Sequence, residues 1–168
     1  MIALAPQPTW QRVALLLGIA LILQSTIFHW FAFRGATPSA TLVLVVWYAL
    51  SAGRMGGMVF GLIAGMLEDA LSWGTGGGWT IATALAGLFA GSLRGGFFTD
   101  SMVPAAAITF FTTLVRAFVF WSVMAIQGYK SGLGATHAHA ALWQGVQNAL
   151  LYVFITLALR WMDAWKQR

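Results

Sequence analysis

Three charged side chains fall inside stretches of the chain that are otherwise apolar. Glu68 and Asp69 lie near the end of one stretch, and Arg116 lies deep in another. Charged groups inside a membrane are costly and usually face the interior of a helix bundle or a partner. At 1.5 Å per residue each group lies about 20 Å from the start of its helix. Because both helices are predicted to run outward, all three groups share one depth. We therefore predict a buried ion pair that holds helices together, with transport or proton relay as the alternative.

The two adjacent carboxylates point in different directions on a helix. At about 100° per residue, Glu68 falls within roughly 20° of Gly61, whereas Asp69 falls roughly 80° away. Ideal helix geometry therefore slightly favours Glu68 as the inward carboxylate.

Further polar side chains gather toward the same end of the predicted bundle. Gln144 and Asn148 are one helical turn apart and share a face. The set could line an outward-facing cavity for a small ligand, or it could form hydrogen bonds between helices with no ligand. Its members are Gln24, His29, Gln127, Gln144, Gln147 and Asn148.

The sequence contains little that is typical of catalysis or metal binding. We find no serine elbow, phosphate loop or HExxH motif. His137 and His139 would point about 200° from each other on a helix. The absence of cysteine excludes disulfides, thiolate metal sites and cysteine nucleophiles. We therefore expect a protein that is not an enzyme and that needs no cofactor and no metal.

The composition indicates that these polar groups are held in a membrane. Of the 168 residues, 60% are hydrophobic and 8% are charged, and the mean hydropathy is +0.79. A soluble domain has about 25% charged residues, so this chain could not cover a folded surface with polar groups. Its basic residues give a net charge of +5 but are scattered singly, whereas nucleic-acid binding usually needs a clustered basic face. We predict one integral membrane domain with no nucleic-acid partner.

Glycine, proline and charged residues divide the chain into six predicted spans. About 20 apolar residues cross a bilayer, so the 36 residues from Pro38 to Trp73 are too long for one span and must break, most naturally at residues 53–57. The second span is short enough to be re-entrant. We therefore predict an all-α membrane protein with six transmembrane helices in one bundle. The spans cover residues 13–33, 38–52, 55–73, 79–93, 103–127 and 139–159.

Basic residues orient the predicted bundle. With the N-terminus in the cytoplasm, six basic residues lie inside and two outside, which agrees with the positive-inside rule. Both termini are then cytoplasmic. The inside group is Arg12, Arg54, Arg94, Arg160, Lys166 and Arg168, and the outside group is Arg34 and Lys130.

Small residues recur at every fourth position in the third and fourth predicted spans. Such residues let helix backbones approach closely, so that van der Waals contact replaces the hydrophobic drive that lipid does not supply. Helix packing within the chain is the favoured interpretation, and a partner-binding face is the alternative. The two ladders are Gly53, Gly57, Gly61 and Gly65, then Thr83, Gly87, Gly91 and Gly95.

The stretch from Gly57 to Arg94 resembles the rod shape-determining protein MreD family. It combines a glycine-rich helix ending in Asp69 and Ser72 with a glycine-rich turn and the pattern Gly87-Leu-Phe-Ala-Gly91. By this resemblance Asp69, and not Glu68, matches the aspartate of the family. This match opposes the helix angle, and we give the motif more weight.

The resemblance implies a non-enzymatic component of the cell-wall elongation machinery in the inner (cytoplasmic) membrane of rod-shaped bacteria. Such a protein lies in membrane lipid, binds the single-span periplasmic protein MreC, and helps couple MreB filaments to the peptidoglycan synthase and transpeptidase. The expected fold is also similar to that of the substrate-binding components of energy-coupling-factor transporters. That similarity gives the alternative function, a membrane component of small-molecule (vitamin) uptake.

Overall fold

The computed structural model describes residues 10–95, 101–129 and 134–166, and over these ranges the chain is all-α. Three of the described helices are long and apolar enough to cross a membrane: α2, α4 and most of α5. The α-helices are α1 (Trp10–Thr26), α2 (Ala40–Leu71), α3 (Gly78–Ser92), α4 (Met102–Ile126) and α5 (Gly134–Lys166), and a short 3-10 helix, Phe28–Phe31, follows α1.

Helix α2 folds back on itself at Gly53. This residue has φ 82° and ψ −172°, a conformation open essentially to glycine alone. Gly53 divides the helix into two arms, residues 40–52 and 54–71. The rings of Tyr48 and Phe60 are 4.8 Å apart, whereas a straight helix would separate these positions by about 18 Å. The break expected at residues 53–57 is therefore present, and the arms form a hairpin.

The open end of this hairpin meets the end of α1. The Gln24 side chain on α1 accepts a hydrogen bond from the Ser39 hydroxyl at 3.1 Å and donates one to the Glu68 carboxylate at 3.1 Å. Ser39 precedes the first arm and Glu68 lies near the end of the second. One side chain can contact both positions only because the arms run antiparallel.

The first arm of α2 is the central element of the core. Its residues 40–46 are all buried, as expected for a helix that is apolar on every face. Leu42 and Val46 pack in a cluster with residues of α3, α4 and α5, and Val45 packs in a second cluster with residues of α1. Every other α-helix therefore contacts this short arm.

Two helices have bounds that differ from the predicted spans. Helix α1 ends at Thr26 instead of residue 33, where the hydroxyls of Ser25 and Thr26 donate to the Ile22 carbonyl and the chain tightens into the 3-10 helix. Helix α5 covers Gly134–Lys166 instead of residues 139–159. Hydropathy measures the apolar centre of a helix, whereas backbone hydrogen bonding continues into polar flanks that contain good helix formers such as alanine.

Candidate functional site

Arg116 and Glu68 form a buried ion pair between α4 and the second arm of α2. Arg116 Nη2 lies 2.5 Å from Glu68 Oε2, and the two side chains are 4% and 5% exposed. Arg116 Nε donates to Thr83 Oγ1 at 3.0 Å, and Nη1 donates to Ser39 Oγ at 3.3 Å. The guanidinium carbon is 4.4 Å from the centroid of the Trp79 ring. Arg116 thus joins α2, α3 and α4.

The Glu68 carboxylate has two further donors. Gln24 Nε2 donates to Oε1 at 3.1 Å, and Thr83 Oγ1 donates to Oε2 at 3.2 Å. Gln24 Oε1 in turn accepts from the Thr41 hydroxyl at 3.0 Å. A buried charge is tolerated when such partners satisfy its remaining hydrogen-bonding capacity.

Asn148 brings α5 into the same network. Its Oδ1 accepts from the backbone N–H of Ser39 at 2.7 Å, and its Nδ2 donates to Thr113 Oγ1 at 3.1 Å. Asn148 is fully buried, so both bonds replace contacts with water. We call the whole network the polar cluster. It consists of Gln24, Ser39, Thr41, Glu68, Thr83, Thr113, Arg116 and Asn148.

Asp69 is outside the ion pair, which corrects the expectation that weighted it above Glu68. Its Oδ1 accepts from the Trp79 backbone N–H at 3.2 Å and from Thr75 Oγ1 at 2.6 Å. Its Oδ2 accepts from the Thr80 backbone N–H at 2.8 Å and from Thr80 Oγ1 at 2.5 Å. The first N–H groups of a helix lack partners within it, and its N-terminus attracts negative charge. Asp69 therefore caps α3, because the turn after α2 places the start of α3 beside it.

The glycine ladder of the second arm packs directly on the backbone of α3. A Cβ on Gly61 would overlap the Thr83 carbonyl oxygen, which leaves no room for any side chain. Successive contacts step by four residues along both helices in opposite directions, so the two backbones run antiparallel in close register. The facing pairs are Gly53 with Gly91, Gly57 with Gly87, Gly61 with Thr83 and Gly65 with Trp79.

Gly95 does not take part in this contact. Helix α3 ends at Ser92, and Gly95 follows with φ 104° and with no atom within 4 Å of a Cβ built on it. The four-residue spacing of the sequence extends to Gly95, which lies beyond the end of the helix. The prediction that Gly95 belongs to the ladder was therefore wrong.

Of the six polar residues expected to line an outer cavity, Gln24 and Gln144 line one and the other four make different contacts. Gln24 and Gln144 line a cavity of about 290 Å³ together with Glu68 and Arg116. Gln147 donates instead to the Phe31 carbonyl at 3.2 Å, and His29 is exposed on the 3-10 helix. Asn148 belongs to the polar cluster, and Gln127 donates to the Gly76 carbonyl at 3.0 Å.

Sequence reasoning did not identify the hydroxyl groups of the polar cluster. Ser39 and Thr113 were not among the predicted site residues, and Thr83 was predicted only as a small residue of the ladder. The available signal was the presence of hydroxyl side chains inside apolar helices, where they form bonds between helices.

The chemistry of the polar cluster is charge pairing and hydrogen bonding. Within residues 10–95, 101–129 and 134–166, no group of three or more His, Asp or Glu side chains is placed to hold a metal ion. The cluster joins all five described α-helices through named side chains, one or more from each helix or its first flanking residue.

Comparison with known proteins extends the resemblance seen in residues 57–94 to most of the chain. A family model described as rod shape-determining protein MreD matches residues 7–162 of the 168. No curated protein and no solved structure matched the chain. The family match begins before α1 and extends into α5. The chain therefore belongs to the MreD family of rod shape-determining membrane proteins.

Proposed function

We propose that this protein is a non-enzymatic scaffold of the cell-wall elongation machinery in the bacterial inner membrane. The family match over residues 7–162 carries the proposal. In this role the protein maintains rod shape by binding MreC and by linking MreB filaments to the peptidoglycan synthase and transpeptidase. Its contribution is to bind and position partners.

The polar cluster supports a scaffold because it makes the bundle rigid. A buried hydrogen-bond network resists rearrangement, since breaking any one bond leaves a polar group unpaired in a low-dielectric interior. Gln24 ties α1 to the hairpin, and Asn148 ties α5 to Ser39. A rigid bundle holds its partners at constant positions relative to one another.

The proposed membrane arrangement has six spans, with both termini in the cytoplasm. The hairpin of α2 supports it, because each arm then crosses or enters the bilayer separately. Arg54 follows the bend at Gly53, and the Arg94 side chain lies against Gly53. The tip of the hairpin is therefore basic, as expected for a cytoplasmic surface. Arg34 lies at the other end of the bundle, over the Trp143 ring.

One observation favours the second candidate function, a membrane component of small-molecule uptake. A cavity of about 290 Å³ is lined by Gln24, Glu68, Arg116 and Gln144, among others. Its volume is close to the lower end of the range for ligand pockets, about 300 Å³. Such a component would need an energising partner with ATPase activity. The two candidate functions therefore differ in the partner that each requires.

Co-purification tests this proposal against the alternative. The tagged chain is extracted from its native membrane in mild detergent, and the recovered proteins are quantified by mass spectrometry. An unrelated multi-span protein with the same tag and abundance serves as the control. We expect specific recovery of a single-span protein with a periplasmic coiled coil. Recovery of ATPases in its place would contradict the scaffold role and support uptake.

A further inference from the structure

An apolar groove opens between α4 and α5, near the end of α4 and the start of α5. Its volume is about 580 Å³, and Phe118, Trp121 and Leu142 are among the side chains that line it. Phe118 is 75% and Leu142 is 51% exposed at its mouth. Both helices are long and apolar enough to cross a membrane. The mouth of the groove therefore faces lipid acyl chains.

A second cavity that contains Arg116 adjoins the groove. We call this cavity of about 190 Å³ the inner chamber. The groove and the chamber share Ala117, Trp121, His137 and Ala141 as wall residues. Of the described residues that line the chamber, Arg116 is the one with a charged side chain, and Glu68 lines the neighbouring cavity instead. A guanidinium thus lies in a cavity next to an apolar groove.

Two groups at the chamber have hydrogen-bonding capacity to spare. The guanidinium of Arg116 has five N–H groups, and its bonds to Glu68, Thr83 and Ser39 use three. His137 Nε2 is buried with no hydrogen-bond partner among the described residues. Its ring stacks on Trp121 at 3.4 Å between centroids, so the stacking holds the ring in place. A buried polar atom without a partner is costly, and a ligand at this point would supply one.

We propose that a phospholipid of the bilayer binds in this site, with an acyl chain in the groove and its phosphate in the inner chamber. Phosphate oxygens accept strong charge-assisted hydrogen bonds from a guanidinium, and Arg116 has unused donors for them. In the tautomer with its proton on Nε2, His137 donates to the same group. The apolar walls of the groove match an acyl chain. This site is independent of the proposed scaffold function.

The adjacency of an apolar groove and a cavity with a guanidinium favours a lipid over other occupants. Free phosphate has no apolar part to place in the groove. A partner helix has a diameter of about 10 Å with its side chains, so it could cover the mouth but could not enter a chamber of about 190 Å³. A phospholipid fits both because one narrow molecule carries the apolar chain and the phosphate.

Native mass spectrometry of the delipidated full chain tests the proposal. The probes are dioleoyl phosphatidylglycerol, dioleoylglycerol with the same chains but no phosphate, and inorganic phosphate. We expect one phosphatidylglycerol to bind at least tenfold more tightly than dioleoylglycerol, and inorganic phosphate to bind weakly. Equal binding of the two lipids, or equally tight binding of inorganic phosphate, would overturn the proposal.

Blocking variants locate the bound lipid. A141W places a large side chain on the wall that the groove and the chamber share, and A138W obstructs the groove from its exposed rim. L150W adds the same side chain at an exposed position of α5 outside both cavities. We expect A138W to reduce phosphatidylglycerol binding about tenfold and L150W to leave it unchanged, with folding checked by thermal unfolding. If A141W does not fold, A138W decides, and equal binding by A138W and L150W would overturn the site.

Discussion

The Arg116 guanidinium binds the Glu68 carboxylate across 48 positions of sequence, while the neighbouring carboxylate of Asp69 binds the start of α3. Two adjacent acids on one helix therefore have different roles. Glu68 neutralises a buried cation, and Asp69 satisfies backbone N–H groups. Adjacent side chains on a helix diverge by about 100°, so one residue faces α4 and the other faces the turn that leads into α3.

Removing one member of the ion pair will destabilise the protein strongly. Arg116→Ala leaves Glu68 charged and buried without its cation, which costs about 3–5 kcal/mol in comparable buried pairs. Thermal unfolding in detergent measures the loss. The double variant Glu68→Met with Arg116→Met is the control, since it removes both charges and should lose much less stability. Unchanged stability and cellular level in Arg116→Ala and Glu68→Ala would show that the pair is not needed.

Removing the cap of α3 will have a smaller and more local effect. Asp69→Ala deprives the Trp79 and Thr80 amides of their acceptor, and loss of a capping side chain costs about 0.5–2 kcal/mol. Hydrogen exchange should accelerate at the first turn of α3 and stay unchanged in the middle of α4. A uniform acceleration across the bundle would instead place Asp69 in the structural core.

A single methyl group in the glycine ladder will separate α2 from α3. In Gly61→Ala the new Cβ overlaps the Thr83 carbonyl oxygen, and overpacking of this kind costs about 1–3 kcal/mol. Gly18→Ala is the matched control, because it gives the same gain in helix propensity where no atom lies within 4 Å. We expect Gly61→Ala to lower the unfolding temperature and Gly18→Ala to maintain or raise it. Equal effects would contradict close packing at Gly61.

The hairpin of α2 predicts which loops share a side of the membrane. The chain lacks cysteine, so single cysteines can be placed without background. Trp30 precedes α2, Trp73 follows it, and both are exposed. We expect Trp30→Cys and Trp73→Cys to react with an impermeant maleimide from the same side, and Met55→Cys at the hairpin tip to react from the other. If Trp30→Cys and Trp73→Cys reacted from opposite sides, α2 would be a straight span.

The bend at Gly53 could be predicted because length and residue type agree. The apolar stretch around it exceeds one membrane thickness, and its glycines offer the least costly place to turn. The four-residue spacing of small residues in both helices predicted close helix packing within the chain, but it did not predict which residues face each other. These features depend on the local sequence and on chain length alone.

The partner of each carboxylate depended on geometry that the sequence does not contain. Asp69 caps α3 because the turn from Ser72 to Gly77 returns the chain to it, and the path of that turn is not encoded in the spacing. The ideal-helix angle favoured Glu68, the residue that binds Arg116, whereas the weight given to the motif favoured Asp69. The end of α1 at Thr26 was missed because no glycine or proline marks the boundary before Gly35, and aromatic residues continue through the 3-10 helix.

Cell shape on depletion is the most direct test of the proposed scaffold. The protein is depleted in its native rod-shaped host, and cell width and length are measured through several generations, with the wild-type chain and Gly18→Ala supplied in trans as controls. We predict that depleted cells round and swell, and that both supplied chains restore rods. Depleted cells that keep normal rod dimensions but acquire a vitamin requirement would contradict the scaffold role and identify the protein as an uptake component.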